Sequence, residues 1–268
     1  MRDVAAELKA LRLFGMAGAW TELAEQTSAS LETSAWLIEH LLQAESTDRH
    51  MRSIANQMST ARFPVHRDLA GFDFTASKVE QGFIKKLATM EFTDKAQNVV
   101  FIGGPGTGKT HLATAIGIGG ITQRGKRVRF HSTVDLVNAL EKEKRDGHAG
   151  RIGRSLMRMD LVILDELGYL PFSQAGGALL FHLLSKLYEH TSVIITTNLS
   201  FSEWSSVFGD GKMTTALLDR LTHHCHIVET GNESYRFHHS SMAAKSRIKS
   251  REQAKKGGKE VLLPDEPF

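Results

Sequence analysis

The sequence predicts an α/β fold, in which helices flank a parallel sheet and a small all-helical segment precedes it. Two patterns carry this prediction. From residue 99 onward, short apolar runs alternate with stretches of helical periodicity, which is typical of a parallel sheet covered on both faces. Before Pro64, apolar side chains recur at helical spacing.

The N-terminal part of the chain is predicted to be a helical domain over residues 1–68. Helical periodicity runs through residues 3–26 and continues through residues 31–58, a stretch without proline. Phe63-Pro64 ends the pattern, because proline stops helices. A linker containing Gly71-Phe72-Asp73-Phe74 follows, and then a helix over residues 78–90.

The alternating part of the chain gives the elements of the sheet. We predict strands over residues 99–102, 128–131, 161–164 and 193–196, with 226–229 as a further candidate. The intervening helices are predicted over residues 111–124, 134–145 and 178–189. After residue 244 the apolar density falls, which predicts a basic, disordered tail over residues 245–268.

Composition limits the class of protein. A chain of 268 residues can bury a substantial core. The single cysteine, Cys225, excludes an internal disulfide and favours a reducing compartment. No apolar run approaches the length of a membrane span, and the N-terminus, with early acids, does not resemble a signal peptide. We therefore expect a cytoplasmic protein without a membrane partner.

Charge is distributed unevenly along a chain whose net charge is only +3. Basic residues concentrate in three stretches: residues 124–129, residues 145–158 and residues 245–259. Such clusters on a nearly neutral chain favour contact with a polyanion, and their place beside a nucleotide motif favours nucleic acid. The alternative is that each cluster is a solvated surface.

A glycine-rich loop follows the first predicted strand. Its pattern is G-x-x-x-x-G-K-[ST], and its residues are Gly103, Gly104, Pro105, Gly106, Thr107, Gly108, Lys109 and Thr110. Glycines let backbone N–H groups converge on phosphate oxygens at a helix N-terminus. Lys109 can then reach the β- and γ-phosphates, and the Thr110 hydroxyl can bind Mg²⁺. The motif predicts a nucleoside triphosphate site.

Two carboxylates follow the predicted strand over residues 161–164. Asp165 lies at the carboxyl end of the strand, where α/β sheets bind ligands, and is predicted to hold the Mg²⁺ shell. Glu166 is predicted to orient or deprotonate a water that attacks the γ-phosphate. A kinase has no evident need for the adjacent glutamate, so the pair favours hydrolysis.

Two further polar residues are candidates for the same reaction. Asn198 follows the predicted strand 193–196 and can hydrogen-bond the γ-phosphate or the attacking water, although asparagine is also common in turns. Arg220, in LLDRL, can stabilise charge on the transferred phosphoryl group, or can form a surface ion pair with Asp219.

The stretch His223-His-Cys-His226 suggests a metal site at first sight. In a strand, however, these side chains alternate between two faces, and the chain offers no distant C-x₂-C pair to complete a tetrahedral zinc site. We expect a strand with ordinary polar contacts.

The motifs GGPGTGKT, LVILDE, IITTN and LLDRL, in this order and spacing, resemble those of AAA+ ATPases of the initiator and helicase-loader branch. The chain up to about residue 245 is similar to the IstB-like transposition helper ATPases of bacterial insertion sequences. This narrower resemblance rests also on LKALRLFGMAGAW, HLLQAESTDRH, ARFPVHRDLAGFDF, DELGYLPF and LLDRLTHHCHIVETGNESYRF. It implies an AAA+ domain over residues 69–244.

The resemblance also implies roles for individual residues. Gly103 to Thr110 would be the Walker A loop, with the following His111 also at the ATP. Asp165 and Glu166 would be the Walker B pair, and Asn198 would be sensor 1. Arg220 would be an arginine finger acting in trans on a neighbouring subunit's nucleotide, and Arg236 a sensor 2 arginine acting in cis.

The implied partners are duplex DNA, a cognate transposase and further copies of the chain. Residues 133–159 lie where the initiator branch inserts an extra helix, which makes Arg145, Arg151 and Arg154 candidates for sequence-independent contact with the DNA backbone. The helical N-terminal domain would serve assembly and the transposase. The alternatives are a DnaC-like helicase loader, a P-loop kinase acting on a small molecule, and an inactive nucleotide-binding scaffold.

Overall fold

The structure, a computed structural model, describes residues 3–25 and 34–236. The predicted basic tail, residues 245–268, lies outside this described part of the chain. The segment predicted to be the helical N-terminal domain is described on either side of residues 26–33.

A five-stranded parallel sheet with the order β2-β3-β4-β1-β5 forms the centre of the molecule. The strands are β1 (Asn98–Ile102), β2 (Val128–Ser132), β3 (Leu161–Leu167), β4 (Ser192–Thr197) and β5 (Cys225–Glu229). The predicted α/β class with a parallel sheet is confirmed. The candidate strand over residues 226–229 is real, and it extends the sheet beyond β1.

Helices lie before the sheet and on both of its faces. In the N-terminal part these are α1 (Val4–Ala10), α2 (Phe14–Glu25), α3 (Ser34–Ala61) and α4 (Gln81–Ala88). Between and after the strands they are α5 (Lys109–Arg124), α6 (Thr133–Arg145), α7 (Arg151–Leu156), α8 (Gln174–Leu187), α9 (Trp204–Phe208) and α10 (Gly211–His223). Two 3₁₀ turns cover Glu91–Lys95 and Phe201–Glu203.

Alternate residues of each strand supply two separate cores, because successive side chains point to opposite faces of a sheet. Val100, Val162 and Ile195 pack with α6, α8, α9 and α10 on one face. Phe101 and Ile163 pack with α4, α5 and the end of α3 on the other. Burial on both faces explains why the strands read as continuous apolar runs.

The periodic stretch over residues 3–26 forms two helices rather than one. The chain turns at Arg12, whose φ is +58°. Helix α2 then crosses α3 closely at Gly15, where a Cβ would lie 2.3 Å from the Ala44 carbonyl oxygen. The buried Glu45 carboxylate accepts the N–H groups of Gly15 (2.9 Å) and Met16 (3.3 Å) at the start of α2.

Helix α3 joins the N-terminal helices to the sheet. Its last turns place Ile54, Met58 and Ala61 in the core formed by α5 and the sheet. The Gln57 Nε2 donates to the Gly125 carbonyl at 3.4 Å, and the Arg129 guanidinium donates to the Thr60 carbonyl. The second half of α3 therefore packs as part of the α/β core, while the boundary at residue 68 stays a prediction.

Residues 223–226 differ from the strand that was predicted there. His223 is the last residue of α10, and β5 begins only at Cys225, so the predicted alternation of four side chains along one strand is wrong. Within residues 3–25 and 34–236, no group of three or more His, Cys, Asp or Glu side chains is placed to hold a metal ion. The same residues include no helix that is long and apolar enough to cross a membrane.

Candidate functional site

The glycine-rich loop lies between β1 and α5 at the carboxyl edge of the sheet. Ile102, the last residue of β1, is paired with Thr197 on one side and Glu229 on the other, so three strand ends meet beside the loop. Gly106 and Gly108 have φ values of +75° and +91°. These left-handed conformations favour glycine, and the loop therefore turns tightly into the first turn of α5.

Lys109 is fixed at the mouth of the loop. Its Nζ donates to the carbonyl oxygens of Gly103 (2.8 Å) and Gly104 (2.7 Å), and the residue is 8% exposed. An ammonium group has three N–H donors, so a third can point to a phosphate oxygen. Burial lowers the pKa of Lys109, the charges of Asp165 and Glu166 raise it, and that of Arg236 lowers it.

Asp165 and Thr110 meet directly. The Thr110 Oγ1 donates to the Asp165 Oδ1 at 2.8 Å, although 55 residues separate them in the chain. The same carboxylate oxygen accepts the Thr196 hydroxyl at 2.6 Å, and Thr133 donates to the Asp165 backbone carbonyl at 2.7 Å. The two residues predicted as Mg²⁺ ligands are therefore neighbours, and the carboxylate is held from β4.

Glu166 occupies an irregular position in β3. The pairing of β3 with β4 shifts register between Leu164 and Leu167, and Glu166 has a φ of +60°. Its N–H donates to the Thr196 Oγ1 at 2.9 Å, and the residue is exposed. A bulge of this kind redirects a side chain, and backbone strain of this kind is common at functional sites.

The ends of β4 and β5 complete this edge. Asn198, the candidate partner of the γ-phosphate or the attacking water, is exposed directly after β4. Thr196, which bridges Asp165 and Glu166, belongs to the IITTN motif, but no role was predicted for it from the motif. Only the strand pairing shows that its hydroxyl lies between the two carboxylate residues.

The segment after β5 lies across the glycine-rich loop. Gly104 N–H donates to the Gly231 carbonyl at 2.8 Å, and Tyr235 N–H donates to the Gly106 carbonyl at 3.2 Å. A Cβ on Gly106 would lie 2.3 Å from the Ser234 Oγ and 3.4 Å from the Arg236 Cβ. Arg236, the predicted sensor 2 residue, is thus brought beside the loop.

The predicted linker forms the other wall of the site. A Cβ on Gly108 would lie 2.5 Å from the Phe72 ring, and that ring also contacts His111, with 5.3 Å between centroids. The His111 Nε2 lies 2.8 Å from the Asp68 carbonyl oxygen. Phe72, His111 and Tyr235 line a cavity that opens beside the phosphate loop. The sequence predicted a linker at Phe72, and the aromatic pair in GFDF was the feature that could have indicated a role for it in the site.

Arg220 lies at the opposite edge of the sheet from these residues. The next residue, Leu221, accepts a hydrogen bond from Asn98, the first residue of β1, at 3.3 Å. The five residues of β1 separate that edge from the loop by roughly 15 Å, at about 3.3 Å per residue. The structure therefore does not bring Arg220 to the loop of its own chain.

The arginines proposed to contact DNA are all exposed on α6 and α7: Arg145, Arg151 and Arg154. The neighbouring acids are engaged within the protein. Glu143 accepts the N–H groups of Arg151 and Ile152, each at 2.8 Å, and Glu141 accepts the Ser173 hydroxyl.

Comparison with known proteins identifies the family. Residues 6–243 match the model of the IstB-like ATP binding protein family. The chain belongs to this family. A protein named as a putative ATP-binding protein of insertion sequence IS5376, from Geobacillus stearothermophilus, is 37% identical to it over 227 residues, which cover 84% of this chain and 90% of that protein. One of insertion sequence IS21 from Pseudomonas aeruginosa is 38% identical over 196 residues, covering 73% and 74%.

Solved structures show the same fold at lower identity. The DnaC helicase loader matches this IstB-like chain with a TM-score of 0.51 and 20% identity, covering 65% of this chain and 98% of that one. AMPPCP-bound DnaA from Aquifex aeolicus matches with a TM-score of 0.52 and 20% identity, covering 63% and 51%. At this identity the likeness shows the AAA+ fold, as predicted, and nothing finer.

Proposed function

We propose that this IstB-like protein is an ATPase that assembles on duplex DNA with ATP, hydrolyses the ATP at subunit interfaces and thereby assists an insertion-sequence transposase. The observation that carries the ATPase part is the convergence of Lys109, Thr110, Asp165 and Glu166 at one edge of the sheet. Membership of a family of insertion-sequence proteins supports the transposition part.

The phosphate loop would bind the triphosphate. Backbone N–H groups at the start of α5 and the Lys109 ammonium supply the positive potential that phosphate oxygens need. Arg236 adds a second cation close to the loop, since its charge contributes to the lowered pKa of Lys109. A bound polyphosphate would favour the charged lysine and so oppose the lowering of the Lys109 pKa by burial and by Arg236.

The donor set fits a magnesium ion. A hydroxyl oxygen and a carboxylate oxygen lie 2.8 Å apart at Thr110 and Asp165, and Mg²⁺ prefers hard oxygen ligands shared between protein and phosphates. When bound, the ion would neutralise charge on the β- and γ-phosphates. Thr196 keeps the Asp165 carboxylate oriented by donating to the same oxygen.

Glu166 would act as the group that orients or deprotonates the attacking water. Its carboxylate is exposed at the same edge as the loop, and the bulge in β3 fixes its backbone. Asn198, exposed at the end of β4, would hydrogen-bond the γ-phosphate or this water. The cavity lined by Phe72, His111 and Tyr235 offers aromatic surfaces for the nucleoside.

Arg220 would complete the site of a neighbouring copy. It lies at the amino edge of the sheet, whereas the nucleotide elements lie at the carboxyl edge, so a head-to-tail contact would bring the two together. Charge stabilisation by such an arginine raises phosphoryl-transfer rates by about 10³- to 10⁵-fold where it has been measured. Hydrolysis would therefore depend on assembly.

Duplex DNA would be held through its phosphates by Arg145, Arg151 and Arg154. The exposure of all three arginines and the engagement of Glu141 and Glu143 in hydrogen bonds within the protein support this assignment. Affinity should then fall steeply with salt and depend little on base sequence.

The test is steady-state ATP hydrolysis by the purified protein, with and without long duplex DNA, over a range of protein concentrations. We expect DNA to stimulate hydrolysis, and the rate to rise more than linearly with protein concentration. The Lys109→Ala variant should lose ATP-dependent assembly on DNA. A rate per chain that ignores both DNA and concentration would refute the composite site.

A helicase loader is the rival function. Its support is the fold shared with the DnaC loader at 20% identity, whereas the relatives at 37% and 38% identity are insertion-sequence proteins. Co-purification with a replicative helicase rather than with a transposase would favour the loader.

A further inference from the structure

Arg220 is exposed, but its guanidinium is held in place. Its Nη1 donates to the Ser185 Oγ at 2.8 Å, and its Cζ lies 5.9 Å from the centroid of the Phe181 ring. Ser185 and Phe181 lie four residues apart on α8, so they face the same side of that helix. Two side chains of one helix therefore restrain an arginine of another, α10.

The support beneath this arginine is rigid. Around Phe181, α8 is anchored in the core by Leu180, Leu183, Leu184 and Leu187, all at most 4% exposed. Phe181 itself packs against this core as a partly buried residue. On α10, Leu217 and Leu221 flank Arg220 and are also buried. Arg220 is therefore exposed, yet its guanidinium is held against side chains of a well-packed helix.

We propose that Ser185 and Phe181 are positioning residues that hold Arg220 in the pose in which it meets the triphosphate of the neighbouring subunit. Neither residue would touch the nucleotide. A guanidinium has five N–H donors, and the bond to Ser185 uses one of them, which leaves donors on the outer side for phosphate oxygens.

The physical reason is the conformational entropy of arginine. Fixing a free arginine side chain costs rotamer entropy, and a prepositioned side chain has already lost much of that freedom. Without Ser185, that cost falls on the hydrolysis step. We expect Ser185→Ala to lower kcat by between about 5-fold and 30-fold.

This inference rests on the proposed function, because it requires that Arg220 acts in trans. The experiment therefore compares Arg220→Ala, Ser185→Ala and Ser185→Thr for kcat, for KM of ATP and for ATP-dependent assembly on DNA. Thr222→Ala is the matched control, since it removes a hydroxyl from the same helix as Arg220, and within residues 3–25 and 34–236 that hydroxyl bonds only the Leu218 carbonyl, at 2.7 Å.

We expect Ser185→Ala to lower kcat while the KM of ATP and assembly stay within about twofold of the unaltered protein. Ser185→Thr should restore kcat, because it keeps the hydroxyl. Phe181→Leu should lower kcat less, because the loss of a cation–π contact at an exposed site is worth about two- to fivefold. Thr222→Ala should leave kcat unchanged.

A mixing experiment tests the direction of the effect. Glu166→Gln subunits retain a supported Arg220 but lack the water-orienting carboxylate, while Ser185→Ala subunits have the reverse defect. In a random one-to-one mixture, about a quarter of head-to-tail interfaces combine the two intact halves. We expect this mixture to hydrolyse ATP faster than either variant alone.

The outcomes separate the two proposals. If Arg220→Ala keeps full activity, the arginine finger of the proposed function is wrong. If Arg220→Ala is inactive while Ser185→Ala is fully active, or loses activity only together with a change in the KM of ATP, then Arg220 is a finger but Ser185 does not position it. Failure of the mixture to exceed both variants also overturns the proposal.

Discussion

Thr196 offers a sharp test of how the two carboxylates are positioned. Its hydroxyl donates to Asp165 at 2.6 Å and accepts the N–H of Glu166 at 2.9 Å, and the residue is fully buried. Thr196→Val keeps the shape and removes both bonds. Asp165 keeps the bond from Thr110, whereas the Glu166 N–H loses its partner. Since a buried group left without a hydrogen bond costs about 1 to 3 kcal/mol, we expect the stability to fall by about that amount.

The next residue in β4 is a matched control. Thr197 is also buried, and its hydroxyl donates to the Leu167 carbonyl at 2.8 Å and accepts the Leu199 N–H at 3.0 Å. Thr197→Val therefore removes one donated and one accepted bond from the same strand, with a similar loss of stability, but touches neither carboxylate.

The difference lies in turnover. We expect Thr196→Val to lower kcat by about 10- to 100-fold, as is common when a residue that orients a metal-binding carboxylate is lost, while Thr197→Val stays within about threefold. Chemical denaturation would measure stability, and steady-state phosphate release would measure turnover below the unfolding transition. If the two variants lower kcat by the same factor, then Thr196 acts on stability alone and our reasoning about the site is wrong.

Three further predictions concern other parts of the molecule. Glu166→Gln should bind ATP normally in a nucleotide-binding assay but hydrolyse it poorly, and normal hydrolysis would remove Glu166 from its role. Burial and the charges of Arg129 and Arg62 lower the pKa of His131 to about 4. Between pH 6.5 and about 4 the folded state therefore binds fewer protons than the unfolded state, and stability is lost as the pH falls through this window. His131→Leu should remove this pH dependence, at most about 3 kcal/mol, from denaturation curves, and an unchanged slope would contradict the assignment. Gly15→Ala should lower the melting temperature because its Cβ would meet the Ala44 carbonyl at 2.3 Å. Gly18→Ala, whose Cβ meets nothing within 4 Å, should stabilise α2 slightly. Equal effects of the two variants would refute the close crossing of α2 and α3 at Gly15.

The strand–helix order was predictable because it depends on local patterns. Runs such as residues 161–164 are apolar throughout, since both faces of the sheet are covered, and they end at polar residues where the sheet ends. The boundaries were less well predicted. Helix α5 begins at Lys109 and not at residue 111, because the glycine-rich loop turns directly into the helix.

The N-terminal helices show where local patterns are insufficient. Periodicity alone does not reveal the break at Arg12, since apolar spacing continues on both sides of it. Nor does it show that the end of α3 packs against the sheet through Met58 and Ala61. Both features depend on contacts with residues far away in the chain.

The sequence by itself determined the chemical groups of the candidate site and the edge of the sheet where they gather. Lys109, Thr110 and Asn198 come after apolar strands and Asp165 lies near the carboxyl end of one, and the carboxyl ends of parallel strands lie along one edge of a sheet. Order along the chain and the period of side chains are therefore enough to predict that these groups lie near one another.

Only the tertiary structure decided how these groups are held and which edge each motif occupies. The hydroxyl pair of Thr107 and Thr230, 2.6 Å apart, joins residues 123 positions apart, and the Thr196 bridge exists because β3 shifts register against β4. Arg220 lies at the far edge because α10 runs back to the start of β5. Hydrogen bonds depend on sub-ångström geometry between distant segments, which strand pairing and packing set and which local sequence does not encode.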